Sequence, residues 1–197
     1  MNEDRFERLD KLHARASELF GMAIAKHGGS ACSDNCPACC REPVHASRLE
    51  AERIVATLDD AQKEALVTKL GIWLTALYAS GQDAHERPKV YTYIPAVPAC
   101  PLLNGTRCGV YEHRPVECRA YFALKHRSYC EDLEKRKEQK HAVFSDNLMM
   151  AICAGHLHIE GGFINDHLCI HLAEILIGPQ QETAARCMYV VEKEAVA

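Results

Sequence analysis

Two sets of four cysteines give this chain its most evident chemistry. The first set has the spacing C-x3-C-x2-C-C and comprises Cys32, Cys36, Cys39 and Cys40. The second set follows about sixty residues later and comprises Cys100, Cys108, Cys118 and Cys130. In a helix, the first spacing would place Cys32, Cys36 and Cys40 on one face. Thiols this close together either form disulfides or hold a metal.

The cellular compartment decides between these two roles. The N-terminal stretch MNEDRFERLDKLHARASELF is charged from its second residue and lacks the apolar core of a signal peptide. We therefore expect a cytoplasmic protein, in a reducing compartment where disulfides are uncommon. The chain has 11 cysteines, an odd number that cannot pair completely. These features favour metal binding over a disulfide scaffold.

The ligand types suit more than one metal. Four thiolates satisfy a tetrahedral Zn²⁺ or a [4Fe–4S] cluster equally well, so the ligands alone do not choose between them. Cys39 and Cys40 are adjacent, and neighbouring side chains diverge in a helix or strand, so both are not expected on one mononuclear metal unless the backbone is irregular. Arginines that lie within a few residues of a cysteine either neutralise the site or are ordinary surface residues: Arg41, Arg107, Arg114 and Arg119.

The order of these cysteines and their neighbours resembles a known family. The first cluster, then CPLLxG from Cys100, CGVYEHRPxxCRAY from Cys108, and finally Cys130 resemble the YkgJ-type cysteine-cluster family, the CxxCxxCC domain described as chelating zinc or iron. The resemblance covers about residues 30–131 and departs in the first gap, which is x3 here and x2 in the family. It implies the metal ligands Cys32, Cys36, Cys39, Cys40, Cys100, Cys108 and Cys118, with Cys130 as an eighth. The family is related to flagellin lysine N-methylases and is often labelled an iron–sulfur oxidoreductase.

A second spacing match is weaker. Cys32, Cys36 and Cys39 also have the spacing by which radical S-adenosylmethionine enzymes hold a cubane cluster. Those enzymes place the motif in a βα barrel, with an aromatic residue before the third cysteine. This chain has Ala38 at that position, shows no βα repeats and is too short for such a barrel. The architecture therefore disfavours this interpretation.

The periodicity predicts a mainly α single domain over 1–197, with about seven helices and an irregular, cysteine-rich, metal-tied middle segment. The metal-binding region is expected over 30–131. Apolar residues spaced by threes and fours predict a helix over 4–26, and capping boxes at Ser47 and Asp59 predict helices to about residues 58 and 80. Pro115 begins a short helix that contains Cys118. Further helices are expected from Ser128 and over 144–156, 166–177 and 179–193, and a short edge strand over 89–97.

The remaining cysteines and all but one of the candidate histidines are expected to have structural roles. Cys153, Cys169 and Cys187 occupy apolar helical contexts and are expected to be core residues. His167, His171 and Glu174 share a helix face, which is more simply a polar face than a second metal site. His113, between Cys108 and Cys118, is a credible substitute ligand. No catalytic residue is predicted, because the chain lacks G-x-S-x-G, Walker and G-x-G-x-x-G motifs.

Composition limits the partners. A formal net charge of −4 gives no basic excess for nucleic acid, and no run approaches eighteen apolar residues, so we expect neither a nucleic-acid nor a membrane partner. The sequence predicts an iron–sulfur protein, most simply with [4Fe–4S], in a redox or methylation-related role with a protein or redox partner. The alternatives are a structural Zn²⁺ module that mediates a protein interaction and a metal-delivery protein.

Overall fold

A computed structural model describes residues 2–26, 28–30, 32, 35–41, 44–80, 97–120 and 165–178 of the chain. Most of these residues are helical, which confirms the mainly α fold. The five α-helices in the described ranges are α1 (Asn2–Lys26), α2 (Arg48–Ala56), α3 (Asp60–Ala79), α4 (Val116–Ala120) and α5 (Leu168–Leu176). The sequence predicted about seven helices for the whole chain. Those expected from 128 and over 144–156 and 179–193 lie outside the described residues, as does nearly all of the strand expected over 89–97.

Helix α1 forms as its periodicity predicts. Its buried positions, Leu9, His13, Ala16 and Phe20, are spaced by threes and fours. The helix ends where Gly28 adopts a φ of 84°, a left-handed conformation that favours glycine. The N–H of Gly28 then donates to Ala25 O at 3.1 Å and that of Gly29 to Ile24 O at 3.0 Å, which closes a Schellman motif.

Both predicted capping boxes are present. Ser47 Oγ accepts from the Glu50 N–H, and the Glu50 carboxylate accepts from the Ser47 N–H, which begins α2. Asp59 and Gln62 make the same reciprocal pair at the start of α3. None of the helices in the described ranges combines the length and the apolar character needed to cross a membrane.

Helix α5 begins two residues later than predicted. Residues Asn165–His167 form strand β4, which pairs antiparallel with β1 (His45–Ser47) so that His45 lies opposite His167. The N–H of Leu168, in the first turn of α5, has no acceptor within the helix. It donates instead to Val44 O at 2.8 Å. This pairing joins the C-terminal part of the chain to the residues just after the first cysteine set.

The apolar core lies between α2, α3 and α5. Its largest fully buried side chains include Ile54, Leu70, Leu74, Ile170 and Leu172. Cys169 also belongs to this core, and Cys100 and Cys108 pack against its edge. The core therefore borders directly on the cysteine-rich segment.

Candidate metal centre

A short hairpin positions the first two thiols of the second cysteine set. Strands β2 (Leu103–Asn104) and β3 (Arg107–Cys108) are joined by a two-residue turn in which Gly105 has a φ of 62°. The Gly109 N–H donates to Leu102 O at 2.9 Å and closes the base of the hairpin. Asn-Gly pairs are typical of tight turns, and the turn at Gly105 brings the segments carrying Cys100 and Cys108 side by side.

Each of these two thiols accepts a backbone hydrogen bond from the residue two positions later. The Leu102 N–H donates to the sulfur of Cys100, and the Val110 N–H donates to that of Cys108. Burial nevertheless raises the pKa of Cys108, with a further rise caused by the thiols of Cys100 and Cys39. N–H···S hydrogen bonds favour the thiolate, which is the form that binds metals.

The first cysteine set does not lie on one α-helix. Residues Ala38–Arg41 form a 3₁₀-helix and Cys36 precedes it, so Cys32, Cys36 and Cys40 do not share a helix face. The Cys39 thiol donates a hydrogen bond to the Cys40 sulfur, which together with burial raises the pKa of Cys39 well above its usual range. The irregular backbone thus brings two adjacent thiols together, which a regular helix or strand would not do.

Cys118 is held by the attachments of the short helix α4. The Val116 N–H donates to Glu50 Oε1 at 2.8 Å, and Glu117 Oε2 accepts a short hydrogen bond from the His45 N–H. Burial raises the pKa of the Cys118 thiol well above its usual value, and the nearby thiols of Cys100, Cys39 and Cys108 raise it further. Cys118 therefore lies within electrostatic reach of both cysteine sets.

The structure brings one unpredicted thiol into this group. Cys169 is 2% exposed, as expected for a core residue, but its thiol also donates a hydrogen bond to the sulfur of Cys100. This hydrogen bond lowers the pKa of Cys100, while burial raises that of Cys169. The context HLCIHL has no ligand spacing, so only the β1–β4 pairing reveals this neighbour. We call the six thiols that these interactions connect the thiol group: Cys39, Cys40, Cys100, Cys108, Cys118 and Cys169.

Three of the eight predicted ligands are not placed in the thiol group. Cys32 is exposed, and its N–H donates to Ser30 Oγ at 3.1 Å. Cys36 is half-buried and is not among the thiols that the interactions above connect. Cys130 lies outside the described residues, as do Cys153 and Cys187. None of the eight cysteines that the structure describes forms a disulfide.

Arg114 is an arginine whose charge acts on two members of the thiol group. Its guanidinium lies over the Tyr111 ring, 3.9 Å from the ring centroid, and its charge lowers the pKa of both Cys39 and Cys108 against the larger effects that raise them. Its Nε is buried and has no hydrogen-bond partner within the described part of the chain. Arg41 and Arg107 are exposed. Arg119 lies within electrostatic reach of Cys118 and donates to Arg114 O at 2.9 Å and to Ser17 Oγ at 3.2 Å.

Removing the charge of Arg114 should weaken metal binding. Arg114→Gln removes a positive charge near thiolates, which are costly to bury. We therefore expect metal affinity to fall by about 10- to 100-fold, the effect typical of residues that interact with the metal ligands without binding the metal. Arg107→Gln removes an exposed arginine beside Cys108 and should change affinity little. Competition with a chromogenic chelator measures both values, and equal affinities for the two variants would contradict this role for Arg114.

The interactions that the structure shows for His113 and His171 involve groups other than the thiols. The charges nearest His113 belong to Arg53, Asp10, Arg119 and Glu112, and burial is the main cause that lowers its pKa. His171 is 2% exposed, and its Nδ1 lies 3.7 Å from Glu174 Oε2. These positions favour the interpretation of His113 and His171 as packing residues rather than as ligands.

The thiol group offers the sulfur ligands that a thiophilic metal prefers, although its sulfur atoms do not all point to one position. Within the described ranges, no three His, Cys, Asp or Glu side chains form a group that could hold a metal ion. Cys39 is instead paired with Cys40 and Cys169 with Cys100 by S–H···S hydrogen bonds, and rotation of these side chains between staggered positions would redirect the sulfurs. Several interacting thiols, two N–H···S donors and nearby cations fit zinc or an iron–sulfur cluster.

This combination defines a class, the cysteine-rich metal-binding domains. A family model described as "CxxCxxCC: Putative zinc- or iron-chelating domain" matches residues 31–153, and the chain belongs to that family. The match supports metal binding. The matched residues include all eight predicted ligands, from Cys32 to Cys130. No protein with a curated description and no solved structure matches the chain.

Proposed function

We propose that this protein holds an iron–sulfur cluster of the [4Fe–4S] type and serves in electron transfer. Cys39, Cys100, Cys108 and Cys118 are the ligands we favour, because these four thiols come from separate segments and interact with one another. Bound there, such a cluster would supply reversible one-electron oxidation and reduction. The remaining predicted cysteines, Cys32, Cys36, Cys40 and Cys130, stay candidates for the same centre.

The observation that favours a cluster is the presence of groups that stabilise thiolates and can tune a cluster's potential. The N–H···S hydrogen bonds at Cys100 and Cys108 and the charge of Arg114 support this proposal, since hydrogen bonds to sulfur and nearby charges set a cluster's potential. We place the protein in the cytoplasm with a protein redox partner, in an oxidation or methylation pathway.

A structural zinc module is the second candidate, and a different observation favours it. Cys100 and Cys108 pack against the apolar core, while Cys39 and Cys118 belong to segments outside it. A Zn²⁺ ion shared among them would tie the hairpin, the 3₁₀-helix and α4 together and so add to folding stability. The surface around such a module would then bind a protein partner, whereas weakly held, exchangeable zinc would indicate metal delivery.

Elemental analysis with a visible spectrum distinguishes these functions. The full chain is purified without oxygen and without a metal-binding affinity tag. About four iron atoms per chain with a broad visible absorbance would support the cluster. Colourless protein with about one or two zinc atoms per chain would refute it and support the zinc module. In that case, chelation should also lower the melting temperature, because structural metal binding contributes folding energy.

A further inference from the structure

We propose that Cys169, which lies beyond the segment that defines the family, is a further ligand of the same metal centre and binds beside Cys100. This inference rests on the proposed metal binding and names a ligand that neither the cysteine spacing nor the family match supplies. It holds for zinc as well as for an iron–sulfur cluster, since both take thiolates.

The first argument is the direct contact between the sulfurs of the buried Cys169 and the half-buried Cys100. The Cys169 thiol donates to the sulfur of Cys100, and Cys100 packs against the apolar core to which Cys169 belongs. A tetrahedral ion with Zn–S bonds of about 2.3 Å holds two thiolates about 3.8 Å apart. Two sulfurs joined by a hydrogen bond have a similar separation, so one metal atom can bind both with little movement.

The second argument is that the backbone fixes this contact from both sides. On one side, the Cys100 N–H donates to Cys40 O at 2.7 Å. On the other, the Leu168 N–H donates to Val44 O at 2.8 Å, and β4 pairs with β1 immediately before α5. Residues 40 and 44–47 therefore bind the segment of Cys100 and the segment of Cys169, which sets the two thiols next to each other.

The third argument is the composition of the surroundings. Cys169 lies in a core of leucine and isoleucine side chains, where any aliphatic residue of similar size would pack. The sulfur of Cys100, which itself belongs to the thiol group, is a neighbour that gives a thiol at this position a role that an aliphatic side chain lacks. The position thus adds a sulfur donor to a site already rich in them.

Cobalt(II) titration tests the proposal. The full chain is reduced, treated with a chelator, freed of the chelator and titrated with Co²⁺ without oxygen, because the sulfur-to-cobalt charge-transfer band grows with the number of bound thiolates. We expect Cys169→Ala to weaken Co²⁺ binding at least 100-fold or to lower the band at saturation. Ile170→Val, which removes one buried methyl group from the same helix, should leave affinity and band unchanged.

The outcomes separate this inference from the proposed function. Circular dichroism checks that each variant folds, and Cys169→Ser, which preserves size and loses only the sulfur, replaces Cys169→Ala if the latter does not fold. Wild-type affinity and band intensity in the Cys169 variant, with loss of both in Cys118→Ser, would overturn the ligand role of Cys169 alone. A wild-type chain that binds no Co²⁺ and contains no metal as purified would overturn both proposals.

Discussion

Protein carrying Cys118→Ser is expected to lose its metal and to bind it more than 100-fold more weakly on reconstitution. Serine keeps the size of the side chain but removes the sulfur, and Cys118 is the thiol whose surroundings include Cys100, Cys39 and Cys108 together. The loss should exceed the about 10- to 100-fold effect of changing residues that only support the ligands. Metal content per chain, measured on anaerobically purified protein, checks this result.

The cysteines form a graded series around this prediction. Cys36→Ser and Cys40→Ser should also release metal, because both belong to the motif by which the family is recognised. Cys153→Ser and Cys187→Ser are the matched controls, since the sequence places both in apolar helical contexts without ligand spacing. Equal metal content across all five variants would show that the ligands lie elsewhere.

Glu50→Ala is expected to have the largest effect on folding stability. The Glu50 side chain is 2% exposed and joins three parts of the fold. Its Oε2 accepts from the Ser47 N–H at 2.8 Å, and its Oε1 accepts from the Val116 N–H at 2.8 Å and contacts His13 Nε2 at 2.9 Å. Truncation leaves these buried groups without their acceptor, which costs about 3–5 kcal/mol of the free energy of unfolding. For a chain of this length, the melting temperature should fall by roughly 6–20 °C.

Two further variants make the effect of Glu50 specific. Glu50→Gln keeps the shape but retains one acceptor oxygen, so we expect an intermediate loss of about 1–3 kcal/mol. Glu52→Ala removes a carboxylate from the same helix whose partner, Arg48, lies 3.2 Å away near the surface, and such pairs contribute at most about 1 kcal/mol. Thermal unfolding of the three variants checks the order, and equal losses for Glu50→Ala and Glu52→Ala would contradict a central role for Glu50. Since Glu50 also holds the start of α4, its loss should weaken metal binding through Cys118.

Several signals that are complete within a few residues were read correctly in the described part of the chain. The apolar period of α1 and the capping boxes at Ser47 and Asp59 each depend on interactions between near neighbours in sequence. The capping box at Ser47 also predicts the hydrogen bond that Glu50 Oε2 accepts from the Ser47 N–H. The second oxygen of Glu50 contacts residues 37 and 66 positions away, and no local pattern reveals such contacts.

The thiol group shows the same division. Sequence alone determined which residues carry thiols and which family the motif indicates, and it gave the expectation of metal rather than disulfides. Only the tertiary structure decided that Cys39 meets Cys40 on a 3₁₀-helix, that Arg114 lies near Cys39 and Cys108, and that Cys169 lies against Cys100. The last contact requires a three-residue strand at 165–167 to pair with residues 45–47 across more than a hundred positions. So short a strand carries almost no periodic signal, and its partner is fixed by packing of α5 on the core rather than by its own residues.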